Sequence, residues 1–294
     1  FKTTQALTFL QEGIVDTRTL FTCNGGFVAR GLRVACHAHA SPISLIPAIA
    51  TSCNAYFCWG YYRMIGAEKY GTPQKALTVW KDYMVDMGFG YTLGVDLPGE
   101  ARGMIPNSEY YDRHYNRSWN GLTTISNSIG QGEVTLTPLQ IANLGATIAN
   151  RGYYITPHVV RGIEGQELDS LYTVRHRVSV DSTNYEKVVE GMRLSVLEGT
   201  CRSANTTAYQ VCGKTGTAQN RGIDHSVFMG FAPMDNPKIA IAVYVENGGF
   251  GAVYGVPIGA LMIEQYLTGG LSQESMIRAE AFSNRIIDYG IEER

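Results

Sequence analysis

The chain has 294 residues, of which 45% are apolar and 17% charged, the balance of a folded globular protein with a substantial core. That balance excludes a disordered chain, and a net charge of -2 excludes a broadly basic nucleic-acid-binding face. No run of 18 apolar residues occurs, so no membrane span is expected within these residues.

The first residue is Phe rather than Met, and FKTTQALTFLQEG opens in mid-helix pattern. The expectation is a fragment cut at its N-terminus, with any targeting or anchoring segment upstream. Residues 3–12 place Ala6, Leu7, Phe9 and Leu10 at helical spacing, and Gly13 suits the exit. Residues 21–42 are rich in Gly, Cys and His and read as a loop with short strands. Helical periodicity resumes across 43–66 through Ile46, Ile49, Tyr56, Phe57 and Tyr61. Residues 95–107 read as a turn-rich loop. A helix follows over 137–152, with Thr137 at its N-cap, Pro138 in its first turn and Gly152 at its exit. Another spans 183–198, with Tyr185, Val188, Val189, Met192 and Val196 on one side. HSVFMGFAP and KIAIAVYVENG are strand runs joined by the turn MDNP, and QVCGKTG is a third neighbouring strand. An apolar helix closes the pattern over 253–267. The prediction is an α+β domain occupying the whole chain, its antiparallel sheet covered by helices with a helical subdomain beside it.

VCGKTGTAQN (211–220) carries the first chemical signal. A phosphate-cradling loop needs a glycine five residues before Gly213, but Ala208 stands there, and strands follow where a helix should. The other use of Lys-Thr-Gly is in acyl-serine enzymes, beside Ser-x-x-Lys and a Ser-x-Asn type triplet. Ser52-Cys53-Asn54 supplies the triplet, between two helical runs. Lys2 lies 50 residues earlier and opens a helix, so it fits the lysine of the first motif. The nucleophilic serine then falls two positions before Phe1, and these 294 residues alone are expected not to form an acyl-enzyme.

With these motifs the chain resembles the transpeptidase domain of class B penicillin-binding proteins of the elongation type, penicillin-binding protein 2. FKTTQAL is similar to the family's first motif, SCNAYF to its second and GKTGTAQN to its third. GVDLPGEARGMIP and SIGQGEVTLTPLQIANLGATIANRG resemble further family blocks, and VYVENGGFGA is similar to a Bacteroidetes-like branch. The resemblance implies a serine β-lactamase/transpeptidase-like fold and acyl transfer from peptidoglycan stem peptides ending in D-Ala-D-Ala, with β-lactams as inhibitors. It implies a periplasmic enzyme anchored in the inner membrane by an upstream segment, partnered by a membrane glycosyltransferase. Lys2 would act as the base, Ser52 as a proton relay to the leaving amine, Asn54 as the group that holds Lys2 and binds the substrate amide, and Lys214 as the nearby cation. Lys214 and Thr215 suit the substrate carboxylate, and Gly216 suits close approach of its backbone. By resemblance the Thr217 N–H completes the oxyanion hole. A serine β-lactamase of the same fold would need a deacylating base, for which Glu109 and Glu133 are available. A non-catalytic β-lactam sensor is the third reading.

Six cysteines occur, four of them within 23–58. Cys36-x-x-His39 has chelating spacing, and Cys23 and Cys53 complete a three-thiolate, one-imidazole set suited to structural zinc; no cofactor is expected for catalysis itself. A Cys23–Cys36 disulfide or unpaired thiols remain open. Cys58 is expected to pack in a helix, and Cys201 and Cys212 are candidates for a disulfide. His114, His158 and His225 stand alone and read as packed or surface residues, with His225 near enough to the Lys214 strand to line it.

Overall fold

The computed structural model describes residues 1–287. Its centre is helix α1 (Lys2–Gln11), in which every residue from Thr3 to Phe9 is buried. An amphipathic helix would expose one face, so burial all round requires partners on every side. They are α3 (Asn54–Ile65), α4 (Pro73–Asp86) and α7 (Ser182–Leu197). Leu7 and Phe9 alone contribute roughly 1.5–3 kcal/mol each by burial. Gln5 is tolerated at the centre because both ends of its amide are used. Its Nε2 donates to the Asn127 carbonyl at 3.0 Å and its Oε1 accepts from the Trp80 indole at 3.0 Å.

The helical periodicity over 43–66 belongs to two helices, α2 (Leu45–Ala50) and α3, separated by a turn at Thr51–Cys53, in keeping with a Ser-x-Asn triplet between two helical runs. Apolar periodicity runs through the break, so the triplet rather than the apolar pattern marks it. Thr51 Oγ1 donates back to the Pro47 carbonyl, Ser52 takes a left-handed φ of 58°, and the Cys53 sulfur caps α3 by accepting from the Tyr56 N–H. A left-handed serine costs roughly 1–3 kcal/mol and turns Ser52 toward α1. The expected short strands are a hairpin, β1 (Gly26–Ala29) and β2 (Leu32–Ala35), paired Gly26 to Ala35 and Ala29 to Leu32.

α4 and a short α5 (Ser108–His114) lie between α3 and α6 (Pro138–Ala149). In α6 the Thr137 hydroxyl accepts from the Gln140 N–H while the Gln140 side chain accepts from the Thr137 N–H, a reciprocal cap with Pro138 in the first turn. A two-residue pair, β3 (Tyr153–Tyr154) with β4 (His176–Arg177), precedes α7.

The main sheet is antiparallel in the order β5 (Cys212–Ala218), β6 (His225–Ala232), β7 (Ile239–Val245), as the strand patterns predict. Lys214 stands opposite Met229, and Ser226 opposite Val245. Strand alternation splits the sheet between two cores. Met229, Phe231 and Cys212 join the core of α1, α3 and α6, while Phe228, Ile241 and Val243 pack with Val256 and Ile263 of α8 (Gly255–Thr268). Helix α9 (Gln273–Ser283) follows. This is the expected α+β arrangement, with helices over both faces.

The two-core division also corrects one expectation. Cys201 packs in the α8 core and Cys212 in the α1 core, so they sit on opposite faces of the sheet and are not bridged. Cys23 and Cys36 are not bridged either, all six cysteines being free.

Candidate active site

Three elements converge on the Lys2 ammonium. The Lys2 ammonium, at the start of α1, donates to the Ser52 carbonyl at 2.7 Å, to Ser52 Oγ at 2.9 Å and to Asn54 Oδ1 at 2.6 Å. The left-handed Ser52 is what lets its carbonyl and its hydroxyl reach the same amine. Asn54 is itself fixed, its Nδ2 donating to the Ala35 carbonyl at 2.7 Å and its backbone N–H to Cys36 Sγ at 3.2 Å. The cage suits both protonation states of the amine. Two of its acceptors, a carbonyl and an amide oxygen, only accept, whereas the Ser52 hydroxyl can reverse and donate into a free lone pair. Burial lowers the Lys2 pKa to about 8, against a smaller opposing pull from the cysteines nearby.

The other part of the site is β5, whose Lys214 feels the charge of Lys2. Lys214 is 3% exposed, and its ammonium donates to the Thr215 carbonyl at 2.9 Å. Burial, and then the charge of Lys2, brings its pKa down to about 7. Two ammonium groups so placed are costly, and near neutrality one proton between them is the favourable state. A side chain at Gly216 would meet Val227, 3.1 Å from the added carbon, so the packing it must respect lies within the sheet. The Thr217 carbonyl accepts from Gln131 Nε2 at 3.1 Å, which ties the strand to the segment before α6. Gln131 was not singled out from sequence, since its partner is 86 residues away.

The carboxylates a β-lactamase would need are engaged elsewhere. Glu133 accepts from the Tyr111 hydroxyl at 2.9 Å, and Glu109 pairs with Arg113 on the exposed side of α5. His225 accepts from the Asn247 N–H through Nδ1 at 3.0 Å, and its ring lies 5.3 Å from that of Tyr244 at a 40° tilt. His114 and His158 bond backbone carbonyls of Tyr110 and Thr156. Cys58 pairs with Ser128 Oγ in the core, as expected of a packed helical cysteine.

Behind Asn54 the four residues of the predicted metal set come together. The ligand atoms of Cys23, Cys36, His39 and Cys53 all lie within 4.8 Å of one another. His39 directs Nε2 at Cys36 Sγ, 3.4 Å away, while Nδ1 donates to the Ala40 carbonyl at 2.8 Å and so fixes the ring. Cys36 is held as a thiolate, its pKa lowered to about 4 by hydrogen bonds from the Cys53 thiol and the Asn54 N–H. Three sulfurs and one imidazole fit tetrahedral zinc in number and kind.

The matching family model is the penicillin binding protein transpeptidase domain, over residues 1–262, and the chain belongs to that family. The peptidoglycan D,D-transpeptidase MrdA of Acinetobacter baumannii is 36% identical over 276 residues, covering 85% of this chain and 39% of the relative. The chain thus spans about two fifths of that relative. Pseudomonas aeruginosa PBP2, solved with WCK 5153, superposes with a TM-score of 0.78 at 31% identity, over 93% of this chain and 59% of that one. A chain from a peptidoglycan synthase complex coordinating polymerization and crosslinking gives a TM-score of 0.78 at 27% identity, over 92% of this chain and 46% of that one. These relatives lend no support to the Bacteroidetes-like texture of residues 243–252.

Proposed function

We propose that this domain is the D,D-transpeptidase of an elongation-type penicillin-binding protein, cross-linking stem peptides by an acyl-serine mechanism and acylated by β-lactams. The carrying observation is the Lys2 cage, in which a buried amine of lowered pKa meets Ser52 Oγ at 2.9 Å and Asn54 Oδ1 at 2.6 Å. The nucleophile in this reading is a serine one helical turn before Lys2, N-terminal to Phe1. Its Oγ attacks the D-Ala-D-Ala carbonyl and Lys2 takes its proton. Ser52 passes that proton to the leaving amine as the peptide bond breaks and D-alanine departs. An amine of a second stem peptide then attacks the ester and releases the serine.

The substrate carboxylate sets this base to work. Beside Lys214 it favours the ammonium there, and the charge on Lys214 in turn disfavours a second ammonium at Lys2. Thr215 adds a hydrogen bond to that carboxylate. The Thr217 N–H stabilises the oxyanion, a donor typically worth ~3 kcal/mol of barrier. The engagement of Glu109 and Glu133 elsewhere favours a transpeptidase over a β-lactamase.

Cys23, Cys36, His39 and Cys53 are read as holders of a structural zinc that braces the Asn54 loop and takes no part in the chemistry. The resemblance supports a periplasmic position on the inner membrane, anchored upstream of Phe1. The peptidoglycan synthase neighbour supports a polymerising glycosyltransferase as partner.

The test is incubation of the full-length protein with a fluorescent penicillin, followed by intact mass. A stable adduct, abolished in Lys2→Ala, is expected. Rapid turnover of the drug would instead indicate a β-lactamase, and a folded protein that forms no adduct would end the catalytic assignment.

A further inference from the structure

Behind Thr215 a line of hydroxyls runs into the protein. Thr200 Oγ1 lies 2.7 Å from Thr215 Oγ1, and Ser195 Oγ lies 3.4 Å from Thr200 Oγ1. Ser195 is completely buried on α7, and Thr200 is half-buried just beyond that helix. The Thr200 N–H donates to the Ala50 carbonyl at 3.2 Å, so the same residue ties α2, which leads into Ser52, to the strand carrying Lys214.

A hydroxyl has one proton to donate and two lone pairs to accept with. Thr215 Oγ1 has two neighbours able to donate to it, the Lys214 ammonium at 3.5 Å and the Thr200 hydroxyl at 2.7 Å. When both donate, its only proton is left for a further acceptor. Thr200 in turn donates to Thr215 when it accepts from Ser195. If the order reversed, Thr215 would spend its proton on Thr200 and turn a lone pair toward an arriving anion.

We propose that Thr200 is a positioning residue for carboxylate recognition: through the Ser195–Thr200–Thr215 chain it aims the Thr215 proton at the carboxylate of the acyl donor. The inference rests on the reading of Thr215 as a carboxylate contact. Sequence alone gives no sign of it, because Thr200 lies in no motif and meets Thr215 only in the fold.

The test compares a penicillin with its methyl ester, which lacks the anionic oxygen, on full-length wild type, Thr200→Val and Thr200→Ser. Valine keeps the shape of threonine and removes the hydroxyl. Thr200→Val should slow acylation by the acid about three- to tenfold, the value of one ordinary hydrogen bond, and leave acylation by the ester unchanged. Thr200→Ser should restore the wild-type ratio. An equal loss for acid and ester, no loss for either, or failure of serine to rescue would overturn the proposal. Thr215→Ala separates the two layers. If it discriminates between acid and ester while Thr200→Val does not, only the role of Thr200 falls. If it does not discriminate, or wild type is acylated by neither compound, the underlying reading falls with it.

Discussion

Replacing Lys214 by methionine keeps the length and apolar stem of the side chain and removes the buried ammonium. Burial takes the Lys214 pKa from 10.5 in the unfolded chain to about 7 in the folded one. At ~1.4 kcal/mol per unit, that drop corresponds to roughly 4–5 kcal/mol of destabilisation. The sign follows from proton counting. Between pH 7 and 10.5 the unfolded state binds more protons, so stability rises with pH across that window. Below about pH 7 both states are protonated and the penalty is complete; above 10.5 both are neutral and it vanishes. Lys214→Met should therefore be more stable than wild type at pH 6 by a few kcal/mol, once the lost hydrogen bond to the Thr215 carbonyl is offset, about 1 kcal/mol. The gap should close steadily toward high pH. Urea denaturation of both proteins at pH 6, 8 and 10, followed by circular dichroism, measures it. Acylation by penicillin should meanwhile fall about 10- to 100-fold, the value of a charge-assisted hydrogen bond to the carboxylate. A stability gap that stayed constant with pH, or a variant less stable than wild type at pH 6, would refute the account of Lys214 as a buried, strained cation.

Two further outcomes can be checked directly. Cobalt(II) added to the reduced protein should give the intense near-ultraviolet sulfur-to-metal absorption of a thiolate site, lost in Cys36→Ser, and zinc should raise the melting midpoint; an unchanged spectrum would remove the metal reading. Gly199→Ala would set a methyl carbon against the Ala50 carbonyl oxygen and 2.8 Å from the Ser195 Cα, so about 1–3 kcal/mol of stability should be lost together with some acylation rate. Unaltered urea midpoints would show that this crossing has room for a methyl group.

The motifs were legible because each is local: Lys-Thr-Gly on one strand, Ser-x-Asn at one turn, Cys-x-x-His in one loop. The main strands and α6 were legible for the same reason, since alternation, the Thr137 cap and Pro138 all act within a few residues. The break at Ser52 was marked by the triplet, but its left-handed turn was not legible, because the deciding partner, Lys2, lies 50 residues away. Gln131 and Thr200 carry no signal in the sequence because their pairings with β5 are made only by the fold. The metal set lay between these cases. Spacing suggested Cys36 and His39, but only the hairpin and the turn before α3 bring Cys23 and Cys53 to them.

Helix α1 roots Lys2 at the centre of the molecule rather than in a mobile rim. Its side chains from Thr3 to Phe9 are packed on all sides, and Gln5 is locked to Trp80 and Asn127. Local opening that exposed these amides would have to dismantle the core itself, so their hydrogen exchange should report global unfolding. The Lys2 cage and the integrity of the fold are then lost at one temperature. Sequence change has little room here. It can accumulate where crowding is slight, on the exposed edge from His37 to Phe250, whose rings meet 5.7 Å apart.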